Sequence, residues 1–258
     1  MTPEQKYSFD LTGLLILDHF LTPECLTALN GAWPDRIAGR DMFDVNFAWG
    51  EPWTALLALD SLRPVLQTLL GKGFRVDHAF GVSELFYSTK GRMHHQSHLV
   101  DLGVTYTYQR GRPYTSLLTL SVALVDIPAG AGGFCCVPGS HKANVDCPSS
   151  WFEIEKHPHM MQIPQKAGSA VLFTEALTHG TYHLGHEQPR RSIIMRLTPG
   201  GVQFRRNPNQ PETTLLPPTP GWDNSDFAIM RPEQLSEAAR NLVMRPPFFI
   251  DFNGRTRE

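Results

Sequence analysis

The chain has 258 residues, a formal net charge of -2, and 21 glycines and 21 prolines. That length suits one domain with a large core, and the near-neutral balance gives no electrostatic reason to expect a nucleic-acid or anionic-membrane partner. No run approaches the ~18 apolar residues of a membrane span. No signal peptide is visible, because Leu11–Phe20 is interrupted by Thr12, Gly13, Asp18 and His19. The four cysteines, Cys25, Cys135, Cys136 and Cys147, are few for the length and read as reduced thiols in a cytoplasmic protein.

In chain order, Leu14–Leu17 reads as a short strand. Thr22-Pro23-Glu24 places a hydroxyl cap before a proline suited to the first helical position, so a helix is expected through about Asn30. A second helical stretch runs from about Trp53 to Leu70, kinked or divided by Pro64 and closed by Gly71 and Gly73. From Phe74 the pattern changes to strand-like runs at Val76–Tyr87, Val104–Gln109, Ser116–Ile127, Phe134–Val137, Ser169–Phe173 and Ser192–Leu197. Short strands at this spacing predict a sandwich or barrel. Beyond Gly200 the sequence is rich in Pro, Asn and Arg, and reads as an extended tail with one helix near Pro232–Val243.

Histidines fall in two groups. His78, His94, His95 and His98 precede the central strands, and His179, His183 and His186 follow them, ahead of Arg190 and Arg191. A lone histidine is usually a hydrogen-bonded surface or core residue, but two groups flanking a set of strands suit a metal bound by imidazole. Lys166–Glu175 reads as a turn and a buried strand that delivers His179 to the mouth of a barrel. Pro189–Met195 reads as a strand with an arginine at its entry, placed to hold a carboxylate in two-pronged fashion. The plainer reading of both arginines is a pair of solvated strand-end charges. Adjacent Cys135 and Cys136 face opposite sides of a strand and read as buried small residues. Tyr106, Tyr108 and Tyr114 read as core or pocket wall, and Arg205-Arg206 as solvated tail charge.

Two blocks carry a resemblance to a known family. Gly132-Gly133-Phe134-Cys135-Cys136-Val137-Pro138-Gly139-Ser140-His141-Lys142 resembles the glycine-rich strand and PGSHK turn of phytanoyl-CoA dioxygenase-like proteins. Gly168–Leu197 resembles that family's distal-histidine and arginine block, and with the run from Tyr7 to Leu29 the likeness covers roughly residues 7–200. It implies a mainly β, double-stranded β-helix (jelly roll, cupin-like) with flanking N-terminal helices. Residues 1–258 would then form one domain, with 200–258 wrapping it as a C-terminal extension. The implied cofactors are Fe(II) and 2-oxoglutarate, and the implied partners are O2 and a small-molecule substrate; oligomeric state is open. In the family the arginine that binds 2-oxoglutarate lies eleven residues past the distal histidine, which selects Arg190 over Arg191 after His179. The small hydroxyl residue two positions past that histidine is Thr181, a candidate second contact to 2-oxoglutarate.

The proximal site departs from the family's His-x-Asp. Met93-His94-His95-Gln96-Ser97-His98 offers Gln96 after His94 and Ser97 after His95, neither a carboxylate. Relatives with Leu-His-Gly-Gly here favour the register of His94, so His94 and His179 are the expected metal ligands. Water, chloride, the Gln96 amide or Asp101 would complete the site, with water or chloride preferred. The expected activity is hydroxylation of a small organic substrate. The alternatives are a halogenase, in which chloride fills the vacant position, and a catalytically silent jelly-roll binding protein.

Overall fold

In the computed structural model, residues 1–34, 42–45, 47–84, 93, 104–145, 147–182, 190–202, 204, 249–250 and 256–257 are described. Helix α1 (Pro3–Thr12) opens with Thr2, whose hydroxyl accepts the Gln5 amide while the Gln5 side chain reaches back to the Thr2 amide. It closes at Gly13, where φ is +82° and the amide donates to the Phe9 carbonyl. Strand β1 (Leu14–Leu17) and helix α2 (Pro23–Gly31), capped by Thr22, follow as the sequence predicts. Pro64 divides the second helical stretch. A 3-10 segment covers Trp53–Leu57, and α3 begins anew at Arg63–Leu70.

The remaining strands are β2 (Met42–Asp44), β3 (Arg75–Glu84), β4 (Tyr106–Gln109), β5 (Arg112–Thr115), β6 (Leu118–Ala123), β7 (Gly133–Cys136), β8 (Met161–Gln162), β9 (Ala170–Thr174), β10 (His179–Tyr182) and β11 (Arg190–Thr198). The predicted strands recur with shifted ends, β6 shorter than expected and β11 longer at both ends. Helix α1 and strands β2, β5 and β8 are additions, and β10 makes His179 the first residue of a strand of its own. A short pair, β12 (Phe249–Ile250) with β13 (Thr256–Arg257), lies in the C-terminal extension. The helix expected near Pro232–Val243, and Arg205-Arg206, lie outside the described residues.

A six-stranded sheet in the order β1-β9-β6-β11-β3-β2 and a three-stranded sheet β10-β7-β8 are both antiparallel throughout. One face of the large sheet packs Leu118, Leu120, Val122, Ile193, Met195 and Leu197 in a single cluster with Phe9, Leu29, Leu66 and Leu69 of the helices. The opposite face meets the small sheet through Leu14, Phe134, Cys136, Val171, Phe173 and Leu177. Phe134 and Phe173 lie 4.5 Å apart between ring centroids. This is a two-layer jelly roll, mainly β, with its helices on the outside.

Cys135 and Cys136 are both fully buried, and all four cysteines are free thiols. Burial pushes the thiols of Cys135 and Cys136 up to about 12, so they stay protonated and inert. Tyr106 is core, its hydroxyl donating to Asp10, whereas Tyr108 is exposed and the Tyr114 ring lies under the Arg112 guanidinium. No helix among the described residues is long and apolar enough to cross a membrane.

Candidate active site between the two sheets

Strand alternation decides which side chains face the space between the sheets. On β10, His179 pairs with Cys136 and Thr181 with Phe134. These residues share the face on which Phe134 and Cys136 pack against Phe173. On β11, Arg190, Ser192, Ile194 and Arg196 lie opposite the face of Ile193, Met195 and Leu197.

His179 is buried, and its ring lies 4.8 Å from that of Phe173 and 6.1 Å from that of Phe134. Its Nδ1 lies 2.7 Å from the Leu177 carbonyl, an acceptor, so that nitrogen carries the proton and Nε2 keeps its lone pair. Burial pushes the imidazole down to about 4, against the opposing pull of the Leu177 carbonyl. The side chain is therefore neutral at neutral pH, the form that binds a metal, and its hydrogen bond to a carbonyl is the usual support of a ligating histidine.

The loop leading to His179 is held from two sides. The Val137 amide donates to the Thr178 carbonyl at 2.9 Å, and the Thr178 amide donates to the Ser140 hydroxyl at 2.8 Å. The PGSHK turn thus sets where β10 begins. His141 of the same turn lies away from the site, against helix α1. Its Nε2 is 3.2 Å from the Asp10 carbonyl, and its ring meets Tyr106 edge-on at 4.6 Å. Gly13 is obligatory there, since a Cβ at its +82° φ would come within 2.7 Å of His141 Nδ1.

Arg190 and Arg191 part company. Arg190 donates to the Thr181 hydroxyl from Nη1 at 3.4 Å and to the Ser192 hydroxyl from Nε at 3.2 Å. Gly133, at φ +86°, leaves room beside the Arg190 stem and Ile127. Arg191 turns to the helical layer, where it reaches the Asn30 side-chain oxygen at 3.5 Å and lies over the Trp33 ring at 5.8 Å. His179, Thr181 and Arg190 are therefore brought together, and Arg191 is kept apart. His94, with His95, Gln96, His98 and Asp101, lies outside the described residues.

A second polar group occupies the same interior face. Glu175 accepts from Thr119 at 2.5 Å, pairs with Arg196, and lies 3.8 Å from Nε2 of His179. Behind Arg196, a β-bulge in β3 places Asp77 and His78 against it. Burial would raise the Asp77 carboxyl, but His78, Arg75 and the Phe204 amide hold it below its usual range. Burial lowers the Arg196 guanidinium to about 10, opposed by the charge of Asp77. Sequence reasoning gave no role to Glu175, Arg196 or Asp77.

A buried neutral imidazole and an inward arginine with hydroxyl partners thus lie together inside a two-sheet jelly roll. The family model described as "Phytanoyl-CoA dioxygenase (PhyH)" matches residues 82–192. HygX from Streptomyces hygroscopicus, solved with nickel and 2-oxoglutarate bound, superposes with a TM-score of 0.68 at 25% identity, covering 80% of this chain and 90% of that one. HygX has also been solved with nickel, 2-oxoglutarate and hygromycin B. EctD from S. alaskensis, in its apoform, shares the fold at TM-score 0.58 and 18% identity, over 78% of each chain. The α-ketoglutarate-dependent epimerase SnoN from nogalamycin biosynthesis shares it at 0.53 and 16%, over 77% of this chain and 81% of that one. No curated protein matches the sequence. Over residues 82–192 the chain is similar to the phytanoyl-CoA dioxygenase family, and it shares its fold with 2-oxoglutarate-dependent proteins such as HygX and SnoN.

Proposed function

We propose that this oxygenase hydroxylates a small organic substrate, with Fe(II) on His94 and His179 and the distal carboxylate of 2-oxoglutarate on Arg190 beside Thr181. The observation that carries the reading is the convergence of His179 Nε2, the Thr181 hydroxyl and the Arg190 guanidinium on one interior face. The site suits the cofactors chemically, since a neutral imidazole is a good ligand for a divalent iron and a fixed guanidinium matches a carboxylate in two-pronged fashion. HygX, with its metal, 2-oxoglutarate and hygromycin B, supports a small organic substrate.

When bound, iron and 2-oxoglutarate supply oxidation of a C–H bond by O2. The chain's residues bind, orient and shield. Ser192 accepts from Arg190 Nε and fixes the plane of the guanidinium. Thr181 stands between that guanidinium and His179, one strand repeat from the latter, where its hydroxyl can donate to the same carboxylate. Phe134 and Phe173 cover the His179 ring and keep water from it.

The test is an anaerobic titration with Fe(II), with and without 2-oxoglutarate. A weak visible charge-transfer band requiring both is expected, along with calorimetric heat for 2-oxoglutarate. Neither band nor heat in the intact protein would replace this reading with a silent jelly-roll binding module.

A further inference from the structure

We propose that Glu175 is a ligand of this metal, supplying the carboxylate that the segment after His94 lacks. The inference rests on the Fe(II) reading above.

Glu175 continues the alternation of Val171 and Phe173 past the end of β9, its amide still donating to the Leu117 carbonyl, so its side chain enters the space between the sheets. It is 2% exposed, and a carboxylate that deep needs charged or hydrogen-bonding partners. Among the described residues its partners all meet one oxygen. Thr119, Arg196 and the His179 contact all converge on Oε1. Oε2 takes none of them. A carboxylate has two oxygens and about four acceptor directions, so Oε1 can remain anchored while Oε2 serves a metal.

The spacing agrees. Two donors on one metal at about 2.1 Å each stand roughly 3.0 Å apart at a right angle and about 4.2 Å apart when opposite. Glu175 Oε1 and His179 Nε2 are 3.8 Å apart, so the carboxylate already lies within that span of the nitrogen that Leu177 leaves unprotonated, and Oε2, on the same carbon as the anchored Oε1, is the oxygen left to meet the metal. Thr119 and Arg196 then take the part of the outer partners that ordinarily orient a ligating carboxylate. Arg196 does not tie Glu175 up for charge balance alone, because Asp77 also acts on it from the bulge in β3.

Charge gives the purpose. Two neutral imidazoles leave Fe(II) with its full double charge, and one carboxylate halves it. With Glu175 on the metal, no position stands open for chloride in place of the missing aspartate, which favours hydroxylation over halogenation.

Two measurements decide it. Wild-type protein crystallised with Ni(II) and 2-oxoglutarate should show a Glu175 oxygen at about 2.1 Å from the metal. Co(II) titration with 2-oxoglutarate present should give at least tenfold weaker binding and a shifted visible spectrum for Glu175→Gln, while the metal-free variant keeps the wild-type circular dichroism. A metal on His179 with Glu175 still on Arg196, and water or chloride in the ligand position, overturns the proposal and leaves the iron reading standing. No metal on His179 in the wild type overturns both. Should Glu175→Gln fail to fold, the wild-type crystal decides alone.

Discussion

Strands β6 and β11 lie side by side in the large sheet, and their two faces differ in kind. Toward the helices they present Leu118, Leu120, Val122, Ile193, Met195 and Leu197, all buried and apolar. Toward the small sheet they present Thr119, Ser121, Arg190, Ser192, Ile194 and Arg196. Burying such polar groups costs free energy unless each finds a partner. Most do: Thr119 bonds Glu175 and Arg196, and Ser192 accepts from Arg190. Ser121 Oγ is buried with no partner among the described residues, a cost that the interior bears. The period of two lets one strand supply stability on one face and chemistry on the other.

If that division is real, substitutions on the two faces should separate ligand binding from stability. The largest effect belongs to His179→Ala, which should abolish Fe(II) binding in the presence of 2-oxoglutarate while circular dichroism stays unchanged. Iron retained at wild-type stoichiometry would move the ligand elsewhere. On the helix face, Met195→Ala should lower unfolding stability by about 2–5 kcal/mol, the range for emptying a fully buried site. At a temperature where it is folded, Met195→Ala should bind Fe(II) and 2-oxoglutarate as the wild type does. Weakened binding by this variant would blur the two faces.

Arg190 and Arg191 sharpen the same contrast with neighbouring residues of one type. Arg190→Ala should raise the 2-oxoglutarate requirement by the equivalent of about 2–5 kcal/mol, the cost of leaving a buried charged partner unpaired, while iron stays bound. Arg191→Ala should leave 2-oxoglutarate binding within about twofold of wild type. It should cost stability modestly, through the lost contacts to Trp33 and Asn30. Calorimetric titration of 2-oxoglutarate into both metal-loaded variants checks the pair, and a larger effect at Arg191 would invert the assignment.

Part of this was legible in the sequence and part was not. The glycine-rich strand, its PGSHK turn and the block around His179 and Arg190 are local patterns, so the jelly roll and the convergence of those two residues could be expected. Helix α1 escaped because it buries only Phe9, so no apolar stripe marks it, although the Thr2/Gln5 capping box was there to be read. Strand β5 escaped because Pro113 argues against a strand; it is tolerated in a two-stranded hairpin. Glu175 escaped for a different reason. A charged residue after a buried strand reads as the return to solvent, and only its meeting with Thr119 and Arg196, both far along the chain, shows that it points inward.

The smallest effect concerns two histidines with the same shift and different duties. His141, outside the site beneath α1, and His179, inside it, are both buried and both pushed from 6.5 down to about 4. For His141 burial is the leading cause, aided by the charge of Lys142 and opposed by Asp10. Each is protonated in the unfolded chain below about 6.5 and in the folded chain only below about 4. Between those values the unfolded state holds the extra proton, so the stability tied to the neutral ring is complete above 6.5 and is lost as pH falls toward 4. One proton sets a limit of about 1.4 kcal/mol per pH unit for each ring. His141→Gln should therefore flatten the dependence of the urea midpoint on pH between 7 and 5, with or without metal. The His179 share should steepen further when metal and 2-oxoglutarate are added, because protons then compete with the metal for Nε2. An unchanged slope in His141→Gln would mean that its ring is not neutral in the folded chain, and that the α1–turn contact is looser than its 3.2 Å Asp10 bond indicates.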